Sequence, residues 1–184
     1  MKKSSIAILI FGMMIIAGCV TSNTSTSITE NTGTADTQKI EDQKKFNSEP
    51  AYVAITDFSI LAKDKSLDFL STEIPNDLSA GFVKGGLIKP VERQELDKAI
   101  KELKLSMSGL TDEEYSLKAG KLLGAKYILL GSMSKIGDQI KISCRLIETE
   151  TAEIVYTESA RGLYSDIFDV EDELKGKIES FFQK

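Results

Sequence analysis

The sequence predicts an α/β domain in which helices pack on one mixed five-stranded sheet, in the order β-α-β-α-α-β-β-β-α. Three observations predict it. Apolar residues recur every third or fourth position in four segments, as helices require, and every second position elsewhere, as half-buried strands require. Glycine, proline and Gly-Asp punctuate the joints. Helical segments separate the first three strands, which makes them parallel, whereas tight turns separate the last three and make them antiparallel.

Ala51 to Phe58 is a β-branched and aromatic run, the first strand. From Ser66 to Lys84, Leu67, Leu70, Ile74, Leu78 and Phe82 line one helical face, and Pro75 predicts a kink or two abutting helices near residue 74. Gly85-Gly86 stops that helix. Leu87 to Glu92 is a short strand that Pro90 confines to an edge. A second helix spans Arg93 to Leu105, with Leu96, Ala99, Ile100 and Leu103 inward. Thr111 and Glu114 form a capping box for the third, whose inner face reads Tyr115, Ala119, Leu122 and Leu123, with Gly124 closing it.

Ala125 to Ile136 is apolar on both parities around Tyr127 to Leu130, the signature of a central strand. Gly137-Asp138 turns the chain into Gln139 to Ile147, where Ile140, Ile142, Cys144 and Leu146 alternate with polar residues. Ile154 to Arg161 is the last strand. A terminal helix begins at Ser165 with Ile167, Val170, Leu174, Ile178 and Phe181 inward. Its acids precede its lysines, in favour of the helix dipole.

Composition narrows the chemistry. The 184 residues are 41% hydrophobic and 28% charged, with net charge −5. This acidic balance argues against general nucleic-acid binding. Without histidine there is no imidazole base, no Ser-His or Cys-His pair and no His-ligated zinc. Two cysteines cannot build a disulfide framework.

The first residues read as an address. Lys2 and Lys3 precede an uncharged stretch from Ile6 to Ala17, too short to span a bilayer and of signal-peptide length. Ile16-Ala17-Gly18-Cys19 resembles the lipobox of bacterial lipoproteins, which implies cleavage by signal peptidase II between Gly18 and Cys19 and acylation of Cys19, palmitate included. The expected organisation is a signal peptide over 1–18, a lipidated cysteine and Ser/Thr-rich flexible tether over 19–49, and the α/β domain over 50–184. Loss of Lys2 and Lys3 takes the mature charge from −5 to −7, so lipid and not electrostatic attraction would hold the chain to a membrane.

Within the domain, Gly120-Lys121 fails as a phosphate loop, because Tyr115 and Leu122 stand where glycine and Ser or Thr are needed. The acid runs Glu113-Glu114 and Glu171-Asp172-Glu173 read as solvated helix starts, with no metal site. Cys144 reads as a buried thiol. Asp57 lies at the C-terminal end of the first strand, where open α/β sheets bind ligands, and Arg93 opens the helix after the second. The two are read as a structural or ligand-binding pair. No catalytic residue, cofactor or metal is predicted.

VAITDF at 53–58, PVERQELDKAIKEL at 90–103, SGLTDEE at 108–114, GKLLGAKYILLGSMSK at 120–135 and IKISCRLIETETAEIV at 140–155 together resemble the curli-secretion (CsgG/HfaB) family. Ala152-Glu153 departs from it, standing where the family commonly has a glycine. The resemblance implies a non-enzymatic lipoprotein of the envelope, anchored in the outer membrane and facing the periplasm. It also implies a relation in fold to the penicillin-binding-protein activator LpoB. The family includes a ring-shaped secretion channel. Here only three residues separate Ile136 from Ile140, and three Arg161 from Ser165, whereas a spanning hairpin needs roughly twenty. The chain is therefore expected to lack the pore hairpins. Its expected partners are the membrane, through acylated Cys19, and envelope proteins in assembly or export, with a homo-oligomer left open and nucleic acid excluded. Activation of a peptidoglycan synthase, as by LpoB, is the second reading and small-ligand binding near Asp57 the third.

Overall fold

The first strand begins where expected but does not run to Phe58. In the computed structural model, which describes residues 49–61 and 64–184, β1 (Ala51–Ile55) is followed by three residues and then by β2 (Ser59–Ile60). Gly18 and Cys19 lie outside the described residues. The remaining strands are β3 (Ile88–Pro90), β4 (Tyr127–Ile136), β5 (Gln139–Glu148) and β6 (Ile154–Leu163). The sheet runs β3-β1-β4-β5-β6, with the two-residue β2 pairing β4 beyond the end of β1. The five predicted strands are thus present with a sixth added. β1 is parallel to β3 and β4, and the last three strands form an antiparallel meander.

The helix predicted over 66–84 divides at a different place. A 3-10 turn at Lys65–Leu67, capped by the Asp64 carboxylate, precedes α1 (Leu70–Gly85), and α1 continues through Pro75. Proline lacks the N–H that would bond the Ser71 carbonyl one turn back. That carbonyl instead accepts the Phe58 amide at 2.9 Å. The gap left by Pro75 is thereby filled by the segment between β1 and β2. The Phe58 ring lies against Gly131 of β4, where any Cβ would collide with it.

α2 (Arg93–Ser106) and α3 (Asp112–Leu122) follow β3. Both arms of the Thr111–Glu114 capping box are made. Leu122, predicted inward, is 69% exposed. The buried stripe of α3 runs through Tyr115, Ser116, Ala119 and Gly120, which places Leu122 about 90° from its centre at ~100° per residue. α4 (Ile167–Phe182) packs Ile167, Val170, Leu174 and Ile178 inward. Glu171 is buried beside them, a departure from the predicted solvated acid run.

Two apolar layers result. α1 and α4 cover one face of the sheet, over Val53, Ile55, Leu129, Ile142, Cys144 and Leu146. α2 and α3 cover Ala54, Ile128 and Ile147 on the other. Because α2 and α3 reach only this part, the same face of the long meander stays open, and Lys141, Thr157 and Arg161 are exposed on it.

The free edge of β6 is closed locally by side chains. The Ser159 amide donates to the Glu158 carboxylate at 2.9 Å, and Lys177 of α4 donates to the Ser159 carbonyl at 2.8 Å. Unpaired edge groups are otherwise templates for strand addition.

At the β5–β6 turn, Ala152 has φ 60°, the one non-glycine residue with positive φ among those described. Ala152 belongs to the Ala152-Glu153 pair at which the sequence departs from the resembled family. An L residue there costs roughly 1–2 kcal/mol, partly offset by the larger unfolded-state freedom of glycine. Ala152→Gly should therefore stabilise the domain by about 0.5–1 kcal/mol and raise Tm by about 2–4 °C. Thermal unfolding checks this, and an unchanged or lower Tm would contradict it.

Candidate functional site

Asp57 lies two residues past β1, and Arg93 is the first residue of α2, as the order of elements dictates. The Arg93 guanidinium donates to the Asp57 carboxylate and lies 3.9 Å from Asp97 one turn along α2. Asp57 and Asp97, but not Arg93, line a cleft between the C-terminal end of β1 and helices α2 and α3. The cleft has a volume near 480 Å³ and is lined by Thr56, Asp57, Asp97, Lys104, Glu113 and Arg145 among others. Lys104 meets Asp112 at 2.6 Å, and Arg145 of β5 meets Glu113 of α3 at 2.5 Å. Arg93, Lys104 and Arg145 each have a carboxylate, so the pairs tie α2, α3 and the sheet together. Exposed pairs of this kind contribute about 0–1 kcal/mol each.

The other residues singled out in the sequence are scattered. Lys121 pairs with Glu150 at 2.7 Å, and Gly120 packs against Ala54, Ile128 and Thr149. Glu114 serves the capping box. Among the described residues no group of acids and cysteines could hold a metal ion.

Two titratable groups are moved well away from their ordinary values. Burial pushes the Cys144 thiol up to about 12. Glu171 is pushed up to about 7, chiefly by burial and then by the Asp77 and Asp172 carboxylates, with Lys175 opposing. It sits in the crevice between α1 and α4, where Lys175 lies over Gly81 and pairs with Asp172.

A second surface has no counterpart among the predicted sites. On the open face of the meander, register aligns Ser59 with Ser132, Ser132 with Ser143 and Ser143 with Ser159. Four strands thus contribute one serine each to a continuous row. In the adjoining row Ser134 is opposite Lys141, and Lys141 is opposite Arg161. Period-two alternation puts each residue on this face, but the row exists only once the register of four strands is set.

With the fold in place, the family can be stated. The family model for the curli production assembly/transport component CsgG matches residues 34–137, more than half of the chain. The chain belongs to the CsgG family. The matched span begins inside the segment predicted as tether and ends at the β4–β5 turn. Among curated proteins no sequence matches. Solved structures share the fold. The LpoB C-terminal domain from Salmonella enterica is 16% identical with TM-score 0.50, over 65% of this chain and 87% of that one. The corresponding Escherichia coli domain is 18% identical with TM-score 0.51, over 61% and 82%. Lipoprotein GNA1162 from Neisseria meningitidis is 14% identical with TM-score 0.50, over 62% and 81%. The CsgG-family chain is thus related in fold to LpoB.

Two measurements follow. In Cys19→Ser protein, Cys144 is the only thiol, and at pH 8 roughly one in ten thousand of its molecules would be thiolate. Iodoacetamide should leave it unmodified for hours in the native protein and alkylate it in denaturant. Rapid native labelling would contradict the burial.

The folded Glu171 carboxyl keeps its proton to about pH 7, while the unfolded one releases it near the ordinary 4.5. The folded state then binds more protons between those values, so stability falls as pH rises through that window. Urea unfolding should show a loss on the order of 3 kcal/mol between pH 4.5 and 8 from this group. Glu171→Gln should remove that loss, and equal pH slopes in both proteins would refute it.

Proposed function

We propose that this chain is a lipid-anchored, non-enzymatic protein of the cell envelope whose CsgG-family domain binds other envelope proteins during assembly or export. Membership of a family described as an assembly and transport component carries the reading. The lipobox-like Ile-Ala-Gly-Cys supports the anchor, with Cys19 acylated after cleavage at Gly18 and the domain facing the periplasm from the outer membrane. Two or three acyl chains would hold it effectively permanently, at ~0.8 kcal/mol per buried CH₂. The residues between Cys19 and the domain would serve as tether, a proposed span of 19–49 before the domain at 50–184.

A non-catalytic role agrees with a chain that has no histidine and a cleft whose cations are each matched by carboxylates. In this reading the Asp57–Arg93 pair is structural and orients the start of α2. The two-residue turn between β4 and β5 supports a domain without a pore hairpin at that joint. Activation of a peptidoglycan synthase is the second reading, prompted by the fold shared with LpoB. The identity of the bound protein separates the two.

Cys19→Ser tests the anchor. Wild-type chain should remain in the membrane fraction after a high-salt wash and incorporate labelled palmitate. The variant should become soluble, take up no label and keep the wild-type Tm. Salt-resistant membrane association of the variant would overturn the reading.

A further inference from the structure

The open face of β4-β5-β6 has a chemistry unlike the rest of this acidic protein. Ser59, Ser132 and Ser143 line a hollow of about 400 Å³ that is also bordered by Leu61, Arg145, Ile154 and Thr157, and Ser159 continues their row on β6. Lys141 and Arg161 stand directly opposite each other beside that row, both exposed. Like charges in this relation destabilise a sheet. Neither side chain forms an ion pair among the described residues, whereas Arg145 on the same face is matched by Glu113.

Aliphatic side chains flank the cations at the far end. Ile136 is 82% exposed, Leu61 70% and Leu163 45%. Ile136 and Leu163 lie either side of Gln139 in the row next beyond the Lys141–Arg161 pair, and Leu61 lies across Ser134 from Lys141. This end lies away from Ala51, where the chain enters the sheet. β4 begins opposite Val53 and continues nine residues to Ile136, about 30 Å at ~3.3 Å per residue.

We infer that this face is a docking surface for an extended acidic segment of a protein partner. The inference rests on the partner-binding reading above and names the surface and the chemistry it recognises. Serine side chains are short, so a main chain can approach the sheet closely and exchange hydrogen bonds with their hydroxyls. Carboxylates of the segment neutralise Lys141 and Arg161 and relieve their mutual repulsion. Its apolar residues cover Ile136, Leu61 and Leu163. A polypeptide supplies all three groups together.

The test is photo-crosslinking in cells with the full, membrane-bound chain carrying a photoreactive residue at Ser143. The same residue at Asp169, on the exposed side of α4, serves as comparison. The expected result is capture at 143 and not at 169, with the crosslinked peptide carrying at least two carboxylates beside aliphatic residues. Lys141→Glu with Arg161→Glu should reduce capture at least tenfold. Reversing the partner's carboxylates to lysine should restore it. The neutral pair Lys141→Gln and Arg161→Gln should give an intermediate loss. A partner captured only at 169, a segment without acids, a second copy of this chain, or a lipid adduct would overturn the inference while leaving the envelope reading in place. No protein captured from either position would overturn both.

Discussion

The Phe58 junction holds the two halves of the sheet in their relation to α1. Its amide fills the hydrogen bond that Pro75 removes from the helix, and its ring occupies the space left by Gly131. Without that amide the half-buried Ser71 carbonyl would lose a hydrogen bond that contributes about 0.5–1.5 kcal/mol, and a side chain at 131 would displace the ring. The junction also lets the chain leave β1 after five residues and resume beside β4 as β2. Without that offset Ser59 would not join the serine row, nor would Leu61 border the hollow. A proline in mid-helix is therefore what seats the neighbouring strand.

The same geometry separates the two faces of the meander. α4 covers one with an apolar stripe, and the Cys144 side of β5 is sealed. α2 and α3 stop short on the other, held near the end of β1 by the Asp57–Arg93 and Glu113–Arg145 pairs. The strands that continue past them carry hydroxyls and cations, with the exposed aliphatics Ile136 and Leu163 at their far end.

Most of the fold was legible because local patterns determine it. Strict alternation marks Ile140, Ile142, Cys144 and Leu146 as inward, and all four are buried. The capping box and the edge position of Pro90 rest on short-range chemistry and follow from a few residues. Pro75 misled because its cost depends on whether a distant amide can replace the lost bond, and residue spacing carries no information on that. Leu122 misled because, two turns on from the buried Tyr115, it shares that residue's side of the helix to within about 20° yet sits at the rim of the stripe, beyond the reach of the sheet. Glu171 looked solvated among Asp169, Asp172 and Glu173, and only the packing of α1 across it makes it buried. The Asp57–Arg93 contact was approachable from element order alone. The serine row was not, since no single segment contains it.

The clasp on β6 bears on what kind of recognition this sheet supports. With the Ser159 main chain occupied by Glu158 and Lys177, growth of the sheet by a further strand is obstructed at the middle of its longest free edge. An edge offers only peptide groups, which every polypeptide possesses, so whatever joins there is selected weakly. A face offers side chains in a fixed two-dimensional arrangement that few sequences can match. Closing one and leaving the other bare turns a generic adhesive into a surface able to tell its ligands apart.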